Sequence, residues 1–201
     1  MQILLSTAYF PPILYFKYLI QNDCIIEGNE NFQKQSYRNR CCILGANGIE
    51  QLVIPIKHND KNKSLIREQE ISYAENWQIK HWRSIISAYN HAPFFEFYKD
   101  DIETILMMKI PLLFDLNQML LNLITSNIQI EMPTISKNWE KLSANFIDKR
   151  NEIHPKLNEE MVTQTYHQVF KKKFGFTQNL SILDLLFNLG PEAHLFLLHK
   201  S

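Results

Sequence analysis

The chain opens on a short apolar run, Ile3-Leu4-Leu5, which gives way to Ser6-Thr7 and then to Ala8-Tyr9-Phe10-Pro11-Pro12. An apolar run of that length with a polar end predicts a buried strand over residues 3–7. Pro12 presets the first helical dihedral, and Ile13, Phe16, Leu19 and Ile20 recur at helical spacing, so a helix is predicted over residues 13–21. Cys24-Ile25-Ile26 predicts a second short buried strand. Residues 37–44 and 51–56 flank Ala46-Asn47-Gly48, and an Asn-Gly step between apolar runs predicts an antiparallel hairpin. Residues 57–64 read as a solvated loop. Residues 67–73 read as another strand with Glu68, Glu70 and Ser72 on one face.

From Asn76 the period lengthens. Trp77, His81, Ile85 and Ala88 lie one turn apart and mark one face of a helix that Pro93 ends. Two more helices are predicted over residues 94–109 and 112–126, divided at Pro111. Residues 132–160 combine Pro133, Pro155 and mixed polarity, which predicts an irregular excursion with short elements. A helix starts at Leu180-Ser181 and runs to Leu189, with Gly190 as a left-handed cap and Pro191 opening a last short helix. The pattern predicts one α+β domain over residues 1–201: a mixed sheet from the first third, helices packed on it, and a parallel crossover from the opening strand, helix and strand.

Composition narrows the function classes. Lys plus Arg equals Asp plus Glu at 21 each, and a general nucleic-acid binder would carry a basic surplus, so no nucleic-acid partner is expected. Three cysteines, with Cys41 and Cys42 adjacent and facing opposite ways, make no disulfide framework and point to a reducing compartment. The amino terminus lacks a positive leader, and Lys109 and Pro111 split the longest apolar stretch, so neither a signal peptide nor a membrane span is expected. His194 and His199 are not at same-face spacing, and there is no Cys-x-x-Cys or glycine-rich phosphate loop. No metal or cofactor is expected.

The candidate chemistry sits at strand ends, in Ser6-Thr7, Glu27-Gly28-Asn29-Glu30 and Tyr37-Arg38-Asn39-Arg40. Polar groups so placed suit a ligand site on a sheet edge. Arg38 and Arg40, two apart in one strand, would share a face and form a fork for phosphate or carboxylate; alternatively they are surface arginines held by Glu27 and Glu30. Those carboxylates read more readily as neutralisers than as an acid–base pair. Tyr9 offers a stacking surface for a sugar, or packing in a tight turn. His81 offers proton transfer, or a core-edge histidine beneath Trp77 and Ile85. Cys24 reads as core, and Cys41 as a thiol that neighbouring cations could activate. Asp148 and Tyr166 are minor additions. The sharpest expectation brings Tyr9, Glu27, Arg38, Arg40 and His81 to one cleft. There His81 is the base, the arginines hold the donor's anion, and Glu27 orients His81 or the acceptor.

These residues also resemble a known family. Tyr9-Phe10-Pro11-Pro12, Tyr15-Phe16, Tyr37-Arg38-Asn39-Arg40, Val53-Ile54-Pro55-Ile56 and Trp77 with Lys80-His81 are similar to the WbqC-like protein family. The likeness continues through Ala88-Tyr89, Pro93-Phe94-Phe95, Leu116-Asn117 and the run from Leu180-Ser181 to Phe187-Asn188 before Gly190-Pro191. Thr7-Ala8, where many relatives carry Gln-Pro, together with the Ser-Ile-Leu-Asp-Leu-Leu-Phe-Asn ending, resembles a branch common in Bacteroidetes-type bacteria. The resemblance implies a bacterial cytoplasmic protein of surface-polysaccharide biosynthesis. It implies a transferase acting on an activated sugar or amino sugar, by acyl or aminoacyl transfer, with a small-molecule or nucleotide-sugar ligand. The contrasting class is a noncatalytic protein that holds a carbohydrate precursor or a partner enzyme.

Overall fold

The computed structural model describes residues 2–57, 64–137, 146–156 and 164–199. Its centre is a four-stranded, all-parallel sheet in the order β5-β2-β1-β6, formed by β1 (Gln2–Ser6), β2 (Cys24–Glu27), β5 (Thr134–Ile135) and β6 (Phe146–Asp148). Ile3, Leu4 and Leu5 are all buried, so β1 is covered on both faces. That explains its unbroken apolar run: a strand covered on both sides has no face to leave polar. α1 (Ile13–Gln21) makes the crossover from β1 to β2. The stretch expected to be irregular supplies both edge strands, which are too short to carry a readable period.

The hairpin forms a second sheet of its own, β3 (Arg40–Gly45) against β4 (Gly48–Val53). Parallel and antiparallel pairings therefore both occur, in separate sheets. Gly45 pairs with Gly48 around the two-residue link Ala46-Asn47, and Gly48 has φ of 112°, which a side chain resists. β3 begins at Arg40, so Arg38 precedes it and the two arginines do not share a strand face. Residues 67–73 also depart from expectation. Ile66–Glu68 form a 3-10 turn, and the next residues pair singly, Glu70 with Leu112 and Ile71 with Ile56. Bridged in alternation to the segments at Leu112 and Ile56, these residues form no ladder with either. The loop expected at 57–64 lies mostly outside the described residues.

The expected helices form as α2 (Trp77–Tyr89), α3 (Phe95–Met107), α4 (Leu113–Asn127), α6 (Ile182–Leu189) and α7 (Ala193–Leu198), and a short α5 (Lys171–Phe174) joins them that the sequence pattern did not predict. Trp77, His81, Ile85 and Ala88 all lie on the buried face of α2. Ser181 caps α6, its Oγ accepting from the Leu183 N–H. The same hydroxyl donates to the Phe10 carbonyl, and the Pro11 carbonyl accepts from the Ile182 N–H. These bonds hold Phe10, fully buried, at φ of 39°, in a region bulky side chains avoid. At Gly190 (φ 54°) a Cβ would come within 2.5 Å of the Phe94 ring, so both the turn and the packing require glycine. One apolar core runs through all these layers. Among the described residues, no helix is long and apolar enough to cross a membrane.

Candidate functional site at the carboxyl edge of the parallel sheet

Because all four strands run the same way, their carboxyl ends collect at one edge. The sequence places a polar residue at each end: Ser6 closes β1, Glu27 closes β2, Ser136 follows β5, and Asp148 closes β6 just before Lys149-Arg150. β2 and β5 extend the sheet to one side of β1, and β6 returns to the other. The β1–β6 junction is thus a topological switch point, where open α/β sheets part their loops into a crevice. Here the crevice is lined by Ser6, Thr7, Tyr37, Arg38, Lys149 and Arg150. Its floor has about 10 Å³ of free space, room for a single oxygen, so a larger ligand would seat at the mouth.

Two held guanidiniums dominate its electrostatics. Arg38 donates from Nε to Glu30 Oε1 (2.8 Å) and from Nη2 to Glu30 Oε2 (2.6 Å) and to Ser6 Oγ (2.7 Å). Arg150 donates from Nε and Nη2 to the two oxygens of Asp148 at 2.9 and 2.8 Å. Ser6 Oγ donates to the Arg150 carbonyl, tying one guanidinium system to the other. Hydrogen bonds from Arg150 hold the Asp148 carboxyl below its usual range, although burial works against them. Those bonds likewise raise Arg150, and the nearby charges of Glu30 and Glu27 add to the effect. Each fork is therefore fixed in place and permanently charged.

Beside this cleft, Glu27 is fully buried. It accepts from Ser136 Oγ at 2.6 Å and from the Asn29 N–H at 2.7 Å. Arg67 donates to the carbonyls of Gly28 and Ser136 and covers the Phe114 ring. A Cβ at Gly28 would fall 2.5 Å from that guanidinium, so only glycine lets the arginine clamp β2 to β5.

His81 lies elsewhere. It is 5% exposed, edge-on to Trp77, and its ring N–H is satisfied by the Val53 carbonyl. Nδ1 then accepts from the Tyr9 hydroxyl at 2.9 Å. Burial lowers the His81 pKa to about 4, outweighing the Val53 bond, while burial raises Tyr9 well above its ordinary value. Both ring nitrogens are thus occupied by a neutral pair that resists ionisation. The cavity His81 lines, between α2 and β4 with Glu50, Trp77, Lys80 and Ser84, contains neither Arg38 nor Arg40.

The five residues expected in one cleft therefore occupy three places. Tyr9 and His81 form a buried pair under α2, Glu27 and Arg38 stand at the sheet's carboxyl edge, and Arg40 lines a groove beside the hairpin. Convergence fails because Arg38 and Arg40 line different pockets and because Tyr9 and His81 bond to each other, away from both. Glu30 is the neutraliser the sequence suggested for Arg38. Cys41 is fully buried and its thiol is pushed well above its ordinary value by burial first, which leaves no thiolate for covalent chemistry. Tyr166 belongs to a separate buried cluster with Asp184 and Gln168. Sequence reasoning missed Ser136, Arg67 and Arg150. One signal was available: Ile147-Asp148 repeats the apolar-then-acid ending of Ile26-Glu27.

Fold and site together define an α+β protein with a charge-lined cleft at the carboxyl edge of a parallel sheet. The chain belongs to the WbqC-like protein family, whose sequence profile matches residues 7–163. The motif from Leu180 to Pro191 lies beyond that match. The chain is also similar to an uncharacterised protein of Mycobacterium tuberculosis, Rv1507c, at 25% identity over 94% of each chain. No solved structure matches it.

Proposed function

We propose that this protein binds the anionic part of an activated sugar or amino sugar at the mouth of the edge cleft, and that it serves acyl or aminoacyl transfer onto that sugar in surface-polysaccharide synthesis. The observation that carries the binding reading is the pair of guanidiniums fixed by carboxylates at a topological switch point, with Lys149 on the rim. Glu27, one strand over, is fully buried and bonded to Ser136 and the Asn29 N–H, so in this reading it props the wall of the cleft and does not meet the acceptor. His81 enters no step, since its nitrogens are committed away from this cleft. The transfer step rests on the likeness to a family linked to polysaccharide genes, as does the Bacteroidetes-type branch.

The spent His81–Tyr9 pair favours a second reading, a noncatalytic holder of the same precursor. One experiment separates the two. Thermal-shift and calorimetric titrations with nucleotide sugars, sugar phosphates and inorganic phosphate should find a ligand that raises apparent stability. Arg150→Gln and Lys149→Gln should weaken its binding by about 1–3 kcal/mol. Mass analysis after adding acyl or aminoacyl donors then reads transfer. Binding without product would select the holder, and no binding by any of these anions would remove the cleft from consideration.

A further inference from the structure

The segment Tyr37–Arg40 is a wall with two sides. Tyr37 and Arg38 face the edge cleft, while Asn39 and Arg40 line a wider groove with about 340 Å³ of free space, the scale of a small-molecule site. Its floor is apolar, made by Phe32, Val53, Ile54, Pro55 and Ile56. Its walls carry two cations, Lys34 and Arg40, and no Asp or Glu among the described residues lines it. Arg40 reaches only the neutral Gln51 amide, at 3.3 Å, and its Nε is buried without a partner among the described residues. Lys34 likewise has no ion pair among them. At the rim, Gln35 holds φ of 61°, an unusual backbone state for a residue other than glycine.

Arg40 is half-buried with its Nε unpartnered among the described residues, and the exposed Lys34 stands on the same groove, so two like charges face one apolar floor. Arg38, two residues away, is matched bidentately by Glu30, so among the described residues a counter-anion stands on one side of this wall and none on the other. A single kind of ligand relieves both features at once. Its flat apolar body would cover Phe32, Val53 and Pro55, and its anion would bridge Lys34 and Arg40. We propose that this groove is a second binding site, separate from the edge cleft, for a small amphiphilic anion: a carboxylate or phosphate ester carried on a flat apolar body.

The test uses the full chain and two fluorescent probes, 1-naphthoate and 1-naphthyl phosphate, titrated to equilibrium. Saturable binding of at least one is expected. 1-Naphthol, which has the body without the charge, and inorganic phosphate, which has the charge without the body, should each bind about tenfold more weakly or less. The better of the two probes identifies the head group. Lys34→Gln and Arg40→Gln change groups outside the packed core, so the fold should survive, as circular dichroism can verify. Each should weaken the probe about tenfold. Arg150→Gln should leave the probe's affinity unchanged, so this proposal and the edge-cleft reading fail separately. Absence of saturation with both probes, equal affinity for 1-naphthol, or full affinity in both variants would overturn it.

Discussion

Arg38 is 2% exposed and its bidentate partner Glu30 is 3% exposed, so neither charge has access to water in place of the other. Removing one partner of such a pair strands the other. Arg38→Ala is expected to cost about 3–5 kcal/mol in urea unfolding, and Arg38→Met combined with Glu30→Gln much less than the sum of the single changes. Loss of ligand binding in Arg38→Ala alone would therefore say little about recognition, which is why Arg150 and Lys149 make the cleaner test. His81 gives a second expectation. Its folded pKa of about 4 lies below the ordinary 6.5, so the unfolded chain takes up the proton first as pH falls. Its contribution is fully present above about pH 6.5 and drains away toward pH 4, by about 3 kcal/mol at most. Comparing unfolding free energies at several pH values with those of His81→Gln should show that slope in the wild type only. That His81 lies on the buried face of its helix was legible from spacing. The direction of Arg38 was not, because it depended on where β3 begins, and hydrogen bonding to Ile54 through the Asn39 backbone and side chain sets that start.

At the scale of elements, α6 gathers more of the fold than any pattern of apolar residues reveals. Its cap fixes the Phe10 elbow, and its Asp184 accepts from Tyr166 and from Gln168, fastening residues 166–168 to the core. Burial pushes Asp184 up to about 6 despite the hydrogen bonds from Tyr166 and Gln168. The folded value exceeds the ordinary 3.8, so this group's contribution is complete below pH 3.8 and is lost as pH rises through 6. The sign is opposite to that of His81, and the two slopes partly cancel between pH 4 and 6. Asp184→Asn should therefore expose the His81 slope in full, giving a steeper loss of stability on acidification than in the wild type. An unchanged pH profile in that variant would show that Asp184 does not titrate in this range. The helices α2, α3 and α4 were legible because each spans several turns of repeating pattern. β5 and β6, at two and three residues, are too short for their alternation to repeat even twice, and their strand character comes from the neighbours they pair with.

For the whole molecule, the sequence revealed that polar side chains cluster at strand ends but not which ends meet. That depends on strand order, and the order β5-β2-β1-β6 brings Ser6 beside Arg150 rather than beside His81. The same order has a consequence for how the molecule comes into being. β1 is the first strand made, yet one of its long sides stays unpaired until β6 is made, since Gln2 pairs with Phe146. Through most of synthesis the chain would carry an apolar strand with an open flank, the kind of surface that invites chaperones or self-association. A truncated chain of residues 1–137 is expected to aggregate, or to leave the amides of β1 open to hydrogen exchange, whereas the full chain protects them. The second guanidinium of the cleft arrives on the same late segment. A nascent chain therefore has no finished edge cleft, and the capacity to capture a charged ligand there appears only when the sheet closes.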